Sequence, residues 1–184
     1  AAITAAAAPV ASRSMVGYMT RYHPAFQALA GLDLSDIYGF NFEIGHDVRQ
    51  WRKNWSFAAS YAALPQGRGV LLDRCHELDM AQCLFPQAAL QRVDSLGHGD
   101  FPGVDFATRI TLAGPQAAGS VAMDYLSPHS LRRISLRGQN QVHDLDLIAM
   151  RHDVHSASGS KTTDFSFERN DMFFALMRDF LALV

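Results

Sequence analysis

The sequence predicts an α+β fold: an open, mostly antiparallel β-sheet with helices covering one face. Three observations predict it. From residue 88 onward the chain breaks into short alternating segments, "ALQRVDSL", "DFATRITLAG", "GSVAMDYLS", "SLRRISLRG" and "HDLDLIAMR", separated by Gly, Pro, Ser or Asn, the pattern of an antiparallel meander. Further upstream, "DIYGFNFEIGH" alternates as a strand with one solvated face does. Alternation leaves the sheet one apolar face, and helical stretches at 24–30, 70–85 and 170–184 are available to cover it.

Taken in order, the chain opens on "AAITAAAAPVA", alanine-rich and without an initiator methionine or the basic region of a secretory signal, so a helix remnant is expected there. "SMVGYMTRYHPAFQAL" predicts a short strand ending near Arg21 and then a helix opened by Pro24. The strand at 36–46 follows, then an irregular stretch, "DVRQWRKNWSFAASYAALPQ", leading into the helix at 70–85 and the meander. The last segment, "NDMFFALMRDFLALV", is helical to its final residue with no cap behind it, and the chain reads as a piece of a larger one.

Composition narrows the classes. With 184 residues, 48% hydrophobic and 18% charged, and a net charge of −2, the chain has the profile of one globular domain, not of a disordered segment or a polyanion binder. No apolar run approaches the ~20 residues that a membrane helix needs. Cys75 and Cys83 stand more than two turns apart on the 70–85 helix and cannot bridge, which points to a reducing, cytoplasmic setting. Self-association through the strands at 105–148 is expected, on the argument that an uncovered sheet face is costly in water.

The chemistry concentrates in "GRGVLLDRCHELDMAQCLF" at 67–85. Wound at 100° per residue, Val70, Leu71, Cys75, Leu78, Ala81 and Phe85 form a core stripe, while Asp73, His76, Glu77 and Met80 fall on the other side. Asp73 and His76, three apart, are neighbours there among apolar groups. A partly dry imidazole beside a carboxylate can take up and return a proton near neutral pH. The plainer reading fits the same spacing: Asp73 compensates a helix start and His76 makes a satisfied buried hydrogen bond.

"GYMTRYHP" at 17–24, "QWR" at 50–52, "SYAALPQGRGVLLDRCHELDMAQCLFP" at 60–86 and "FERNDMFFALMRDFL" at 167–181 together resemble the second half of the Gfo/Idh/MocA family, the glucose-fructose oxidoreductase and inositol dehydrogenase relatives. The resemblance covers most of the chain in order. It implies a two-domain enzyme in which a Rossmann domain holds NAD or NADP and a C-terminal open-sheet domain binds a sugar-like substrate and assembles with other subunits. Residues 1–22 would then end the nucleotide-binding domain and 23–184 form the substrate domain. By the same resemblance His76 touches the reacting hydroxyl with Asp73 beside it. The family's catalytic lysine, in a Glu-Lys-Pro motif upstream, has no counterpart here. The usual Gly-Gly-Gly turn is "GRG", so that Arg68 either projects outward or reaches an acidic substrate group, and the Asp-to-His gap is short.

Arg21 and Tyr22, just before a helix, are further substrate-binding candidates, with His23 beside them. So are Trp51, Arg52 and Tyr61, whose aromatic and guanidinium chemistry suits sugar rings and acidic groups. No phosphate loop is present: "GHGDFPG" at 97–103 sits among strands, contains Pro102 and opens no helix. His23, His46, Cys75, His76, Glu77 and Cys83 lack the close pairs of a zinc site, so no metal is expected. "NWS" at 54–56 fits a glycosylation pattern with nothing else pointing to secretion, and Ser14 and Ser60 lack a nucleophile-elbow setting. The competing class is a non-enzymatic open-sheet dimerisation or small-ligand-binding module in which His76 is structural.

Overall fold

The computed structural model describes residues 8–50, 56–65 and 69–183. Eight strands form one sheet: β1 (Ile37–Gly45), β2 (Ala89–His98), β3 (Phe101–Ala113), β4 (Ala118–Asp124), β5 (Leu131–Gly138), β6 (Gln141–Asp146), β7 (Arg151–Ser156) and β8 (Gly159–Asp164). Their order across the sheet is β2-β3-β4-β1-β5-β6-β7-β8. Every neighbouring pair is antiparallel except β1 with β4, which run parallel. Four helices accompany them: α1 (Pro24–Ala30), α2 (Gly69–Asp73), α3 (His76–Leu84) and α4 (Arg169–Ala182). The α+β class, the open sheet and the strands at 37–45, 89–98, 101–113, 118–124 and 131–138 follow the sequence reading.

Alternation decides which face the helices cover. Phe40, Phe42 and Ile44 of β1, Val121 and Met123 of β4, and Ile134 and Leu136 of β5 are buried on one face. Phe26 and Leu29 of α1, Val70 of α2 and Met80 and Ala81 of α3 are buried with them in the same core. Phe85, just past α3, stacks on Phe40 with ring centroids 4.5 Å apart. Opposite Phe40 the chain carries Gly119, where a Cβ would fall 2.0 Å from the Phe40 carbonyl oxygen, so this close approach admits only glycine.

Several expectations are corrected. The strand before Arg21 is a 3₁₀ turn, Met19–Tyr22. The helix remnant at the start is, over Ala8–Arg13, an exposed 3₁₀ segment. The single helix at 70–85 is two helices, broken at Arg74 and Cys75. The break resets the helical phase, so Glu77 and Met80 turn into the core, against the wheel drawn for one continuous helix. "HDLDLIAMR" is not one strand: β6 ends at Asp146, and a turn over 147–150, with Met150 at φ 54, starts the β7–β8 hairpin.

The face away from the helices is polar. One rung crosses the whole sheet through register partners Asp94, Arg109, Ala122, Glu43, Arg133, Asp146, Arg151 and Asp164, largely alternating in sign. Arg133 pairs with Asp146 at 3.4 Å and Arg151 with Asp164 at 3.0 Å. The hydrophobic argument for self-association therefore fails, because this face is well solvated as it stands. No described helix is long and apolar enough to cross a membrane. Cys75 and Cys83 are free thiols.

Candidate active site

The site is built on the α2–α3 break. Gly69 opens α2 at φ +58, and a Cβ there would lie 2.2 Å from the Asp105 carbonyl oxygen, so the helix start presses directly on the backbone of β3. Asp105 then accepts the Leu71 amide at 2.9 Å and the Thr108 hydroxyl at 2.9 Å, capping a short helix whose first amides have no partner of their own. This anchoring fixes where α2 ends, and hence where Asp73 and His76 stand.

His76 is the first residue of α3 and its ring is half-buried. Its Nδ1 is buried without a hydrogen-bond partner among the described residues. Tyr18 meets it edge-on with centroids 5.7 Å apart, and the Arg21 guanidinium lies 5.7 Å from the centre of the same Tyr18 ring. Burial, then the positive charge of Arg132, hold the imidazole below its ordinary pKa, while Asp79 and more weakly Asp73 pull it up. The ring is therefore neutral near pH 7.

Behind His76 lies a buried ion pair. Glu77 is 1% exposed, and Arg132 of β5 donates to its Oε1 from Nε at 2.6 Å and to the Thr20 hydroxyl from Nη2 at 3.3 Å. Burial pushes the Glu77 carboxyl up and Arg132 pulls it back, while Glu77 Oε2 has no hydrogen-bond partner.

Asp73 does not hydrogen-bond His76. Its carboxylate accepts the Tyr61 hydroxyl and lies 3.3 Å from Arg74 Nε. Tyr125, buried at the end of β4, is held in its phenol form by burial and then by Asp73. Tyr125 also walls a cavity of about 600 Å³ lined by Phe57, His98, Phe101, Phe106 and Arg49.

Of the candidate residues, the structure brings together His76, Asp73, Tyr61 and, through Tyr18, Arg21. Arg21 is committed to Asp79 of α3 by two bonds of 2.7 and 2.6 Å. Tyr22 turns to α4 and donates to Asp179 at 2.8 Å. His23 caps α1 by accepting the Ala25 amide, and burial lowers its pKa to about 4. Trp51, Arg52 and Arg68 lie outside the described residues. "GHGDFPG" forms the β2–β3 hairpin turn. Among the described residues no group of three His, Cys, Asp or Glu is placed to hold a metal.

Sequence reasoning missed Tyr18, Asp79, Tyr125 and Arg132. Only Arg132 carried a signal, since it shares the inward phase of "LRRISLRG" with Ile134 and Leu136, where a charge demands a buried partner.

An oxidoreductase domain protein from Kribbella flavida superposes with a TM-score of 0.75 at 16% identity, over 99% of this chain and 60% of that one. Levoglucosan dehydrogenase with NADH gives 0.73 at 16% identity, over 92% and 56%. UDP-N-acetylglucosamine 3-dehydrogenase from Acidithiobacillus ferrooxidans gives 0.70 at 17%, over 90% and 50%. The fold is theirs. These neighbours are Gfo/Idh/MocA-type oxidoreductases, the type that the sequence resembles. The chain spans about half the length of the solved structures it matches. No family model matches the chain, and no curated protein matches it in sequence.

Proposed function

We propose that this chain is the substrate-binding and catalytic-histidine domain of an NAD(P)-dependent oxidoreductase acting on a CH–OH group of a sugar or polyol. The observation that carries the reading is His76: a neutral, half-buried imidazole with its Nδ1 unbonded, set among carboxylates and tyrosines at a helix start. A neutral imidazole accepts a proton from an alcohol as it is oxidised and returns it in the reverse direction. Asp73 and Asp79 stabilise the imidazolium by charge, and Asp73 holds Tyr61 in place at the edge of the site. The solved relatives add support, one being a levoglucosan dehydrogenase seen with L-sorbose and another an oxidoreductase seen with NAD+ and L-tartaric acid.

The described residues do not fit a dinucleotide: no glycine-rich turn among them links a strand to a helix start that could cradle a pyrophosphate. In this reading NAD or NADP is held by a preceding domain whose end is residues 1–22, the substrate domain being 23–184, and no hydride step is assigned to these residues. A cytoplasmic enzyme is proposed, assembling as a homo-oligomer through the polar sheet face by its alternating charges. Sedimentation at micromolar concentration checks this: association that weakens with salt and in Arg133→Glu supports it, and a monomer throughout removes it.

The central test uses the protein with the residues encoded upstream of Ala1, assayed for NAD+ and NADP+ reduction with a panel of sugars and polyols. His76→Asn is expected to lower turnover by about 10²- to 10⁴-fold with the fold intact. Unchanged turnover removes His76 from the mechanism. An upstream sequence with a glycine-rich strand–turn–helix and Glu-Lys-Pro supports the assignment, and a start codon close by overturns it.

A further inference from the structure

The sheet's core face changes character at its far wing. Following register partners outward from β1, one core row runs Phe40, Leu136, His143, Val154, Lys161, and the next runs Phe42, Ile134, Leu145, His152, Thr163. Both rows are wholly apolar through β5, and polar side chains enter them beyond it, His143 on β6 and His152 on β7. His143 and His152 are 5% and 6% exposed, and their rings stack with His143 Nδ1 3.2 Å from His152 Nε2. Among the described residues each other buried Ser, Thr, Asp, Glu or His has a partner that explains it: Thr20 and Glu77 hold Arg132, His23 caps α1, Asp47 holds Arg49, Ser60 bonds the Phe57 carbonyl, and Thr108 bonds Asp105. Among the described residues the two histidines hydrogen-bond only each other. They line a cavity of about 580 Å³ walled by Ala28 and Leu32 at the end of α1 and by Phe165.

We propose that this cavity binds a small molecule through an oxyanion group, a carboxylate or a phosphoryl group, held by the His143–His152 pair and Lys161. Hydrogen-bond arithmetic selects the ligand. In the neutral pair one imidazole donates inward, so the outer nitrogens, His143 Nε2 and His152 Nδ1, present one donor and one acceptor. Adding one proton makes both outer nitrogens donors while keeping the inner bond, and an oxyanion needs donors only. Lys161 adds a cation on the same face. Among the described residues no carboxylate lines the cavity. Asp144 and Asp153 are turned to the opposite face by strand alternation, where Asp153 accepts the Thr162 hydroxyl and Asp144 lies 3.8 Å from His155. α1 contributes Ala28 and the turn after it Leu32, and Asp36, Asp144 and Asp153 act on the histidines from a distance. Burial holds both imidazoles below their ordinary pKa, so the unliganded pair is neutral and ligand binding draws in the proton.

The test is a titration of the histidine ring protons by NMR, with sulfate and with acetate, each against chloride at matched ionic strength. Sulfate keeps its charge between pH 6 and 7.5, so any pH dependence belongs to the protein. Saturable shifts at His143 and His152 are expected, several-fold tighter near pH 6 than near pH 7.5. Lys161→Met, at an exposed position that leaves the fold alone, is expected to weaken binding about tenfold. Sulfate preference assigns a phosphoryl group and acetate preference a carboxylate. Shifts that follow ionic strength alone, or that persist unchanged in Lys161→Met, overturn the proposal. The result is independent of any activity at His76.

Discussion

Replacing Arg132 by Met isolates the electrostatics behind the site. The substitution keeps the unbranched stem and removes the charge, leaving Glu77, 1% exposed, with neither its 2.6 Å partner nor water. Removing one member of a buried pair costs about 3–5 kcal/mol, far more than the pair contributes net, because the remaining charge stays desolvated. For a chain of this size that is a fall in Tm of roughly 6–20 °C. The deficit has a sign in pH. Without Arg132 the Glu77 pKa in the folded state lies above its unfolded value, so folded Glu77 keeps its proton where the unfolded chain has lost it. The variant is then closest to the parent below about pH 4, and loses stability as pH rises from there through the raised pKa. Urea unfolding at several pH values reads this directly. The double variant Glu77→Leu/Arg132→Met should recover most of the loss, since an apolar pair of similar volume avoids the desolvation altogether. A loss under about 1 kcal/mol in the single variant, flat with pH, would refute the account of Glu77 and Arg132 as a pair that must be kept or lost together.

Two further outcomes follow from the same geometry. Gly69→Ala combines a positive φ with a Cβ 2.2 Å from a backbone oxygen, so a destabilisation of at least about 1–3 kcal/mol is expected by thermal unfolding. His23, with a folded pKa of about 4 against an ordinary 6.5, stays neutral where the unfolded chain takes up a proton. It therefore contributes stability above pH 6.5 that is lost as pH falls toward 4. His23→Asn keeps a capping side chain and should flatten that acid slope, measured as the urea midpoint at pH 7 and pH 4.5.

What the sequence revealed tracks the reach of the hydrophobic pattern. β1, β3, β4 and β5 were legible because each alternates over the core, β2 because its sequence alternates between turn signals although all of it is exposed, and α1 because Pro24 marks its first turn. The β7–β8 hairpin was not, since "RHDVHS" and "GSKTTD" lie beyond the helix layer and nothing there imposes an apolar phase. The α2–α3 break was hidden for another reason: two short helices, α2 packed mainly on β3 and α3 on β1 and β4, one pinned by Asp105 from 34 residues away, mimic one periodic helix in sequence. Asp73 and His76 were visible through local spacing. Tyr125 and Arg132 reach them only through the sheet order and Tyr18 through the packing of the turn before α1, and spacing carries no record of either.

The one parallel junction, β1 against β4, also governs how the chain assembles. Every other strand pair except β1 with β5 joins neighbours in sequence across a turn, so the β2–β4 and β5–β8 meanders can each zip early and independently. Closing the seam between them brings together residues such as Asn41 and Ser120, 79 positions apart, and needs the intervening helices to be out of the way or already seated. Ordering so long a loop before any contact repays it makes this the expected slow step of folding, and until it is complete β4 stands as a bare edge open to other chains.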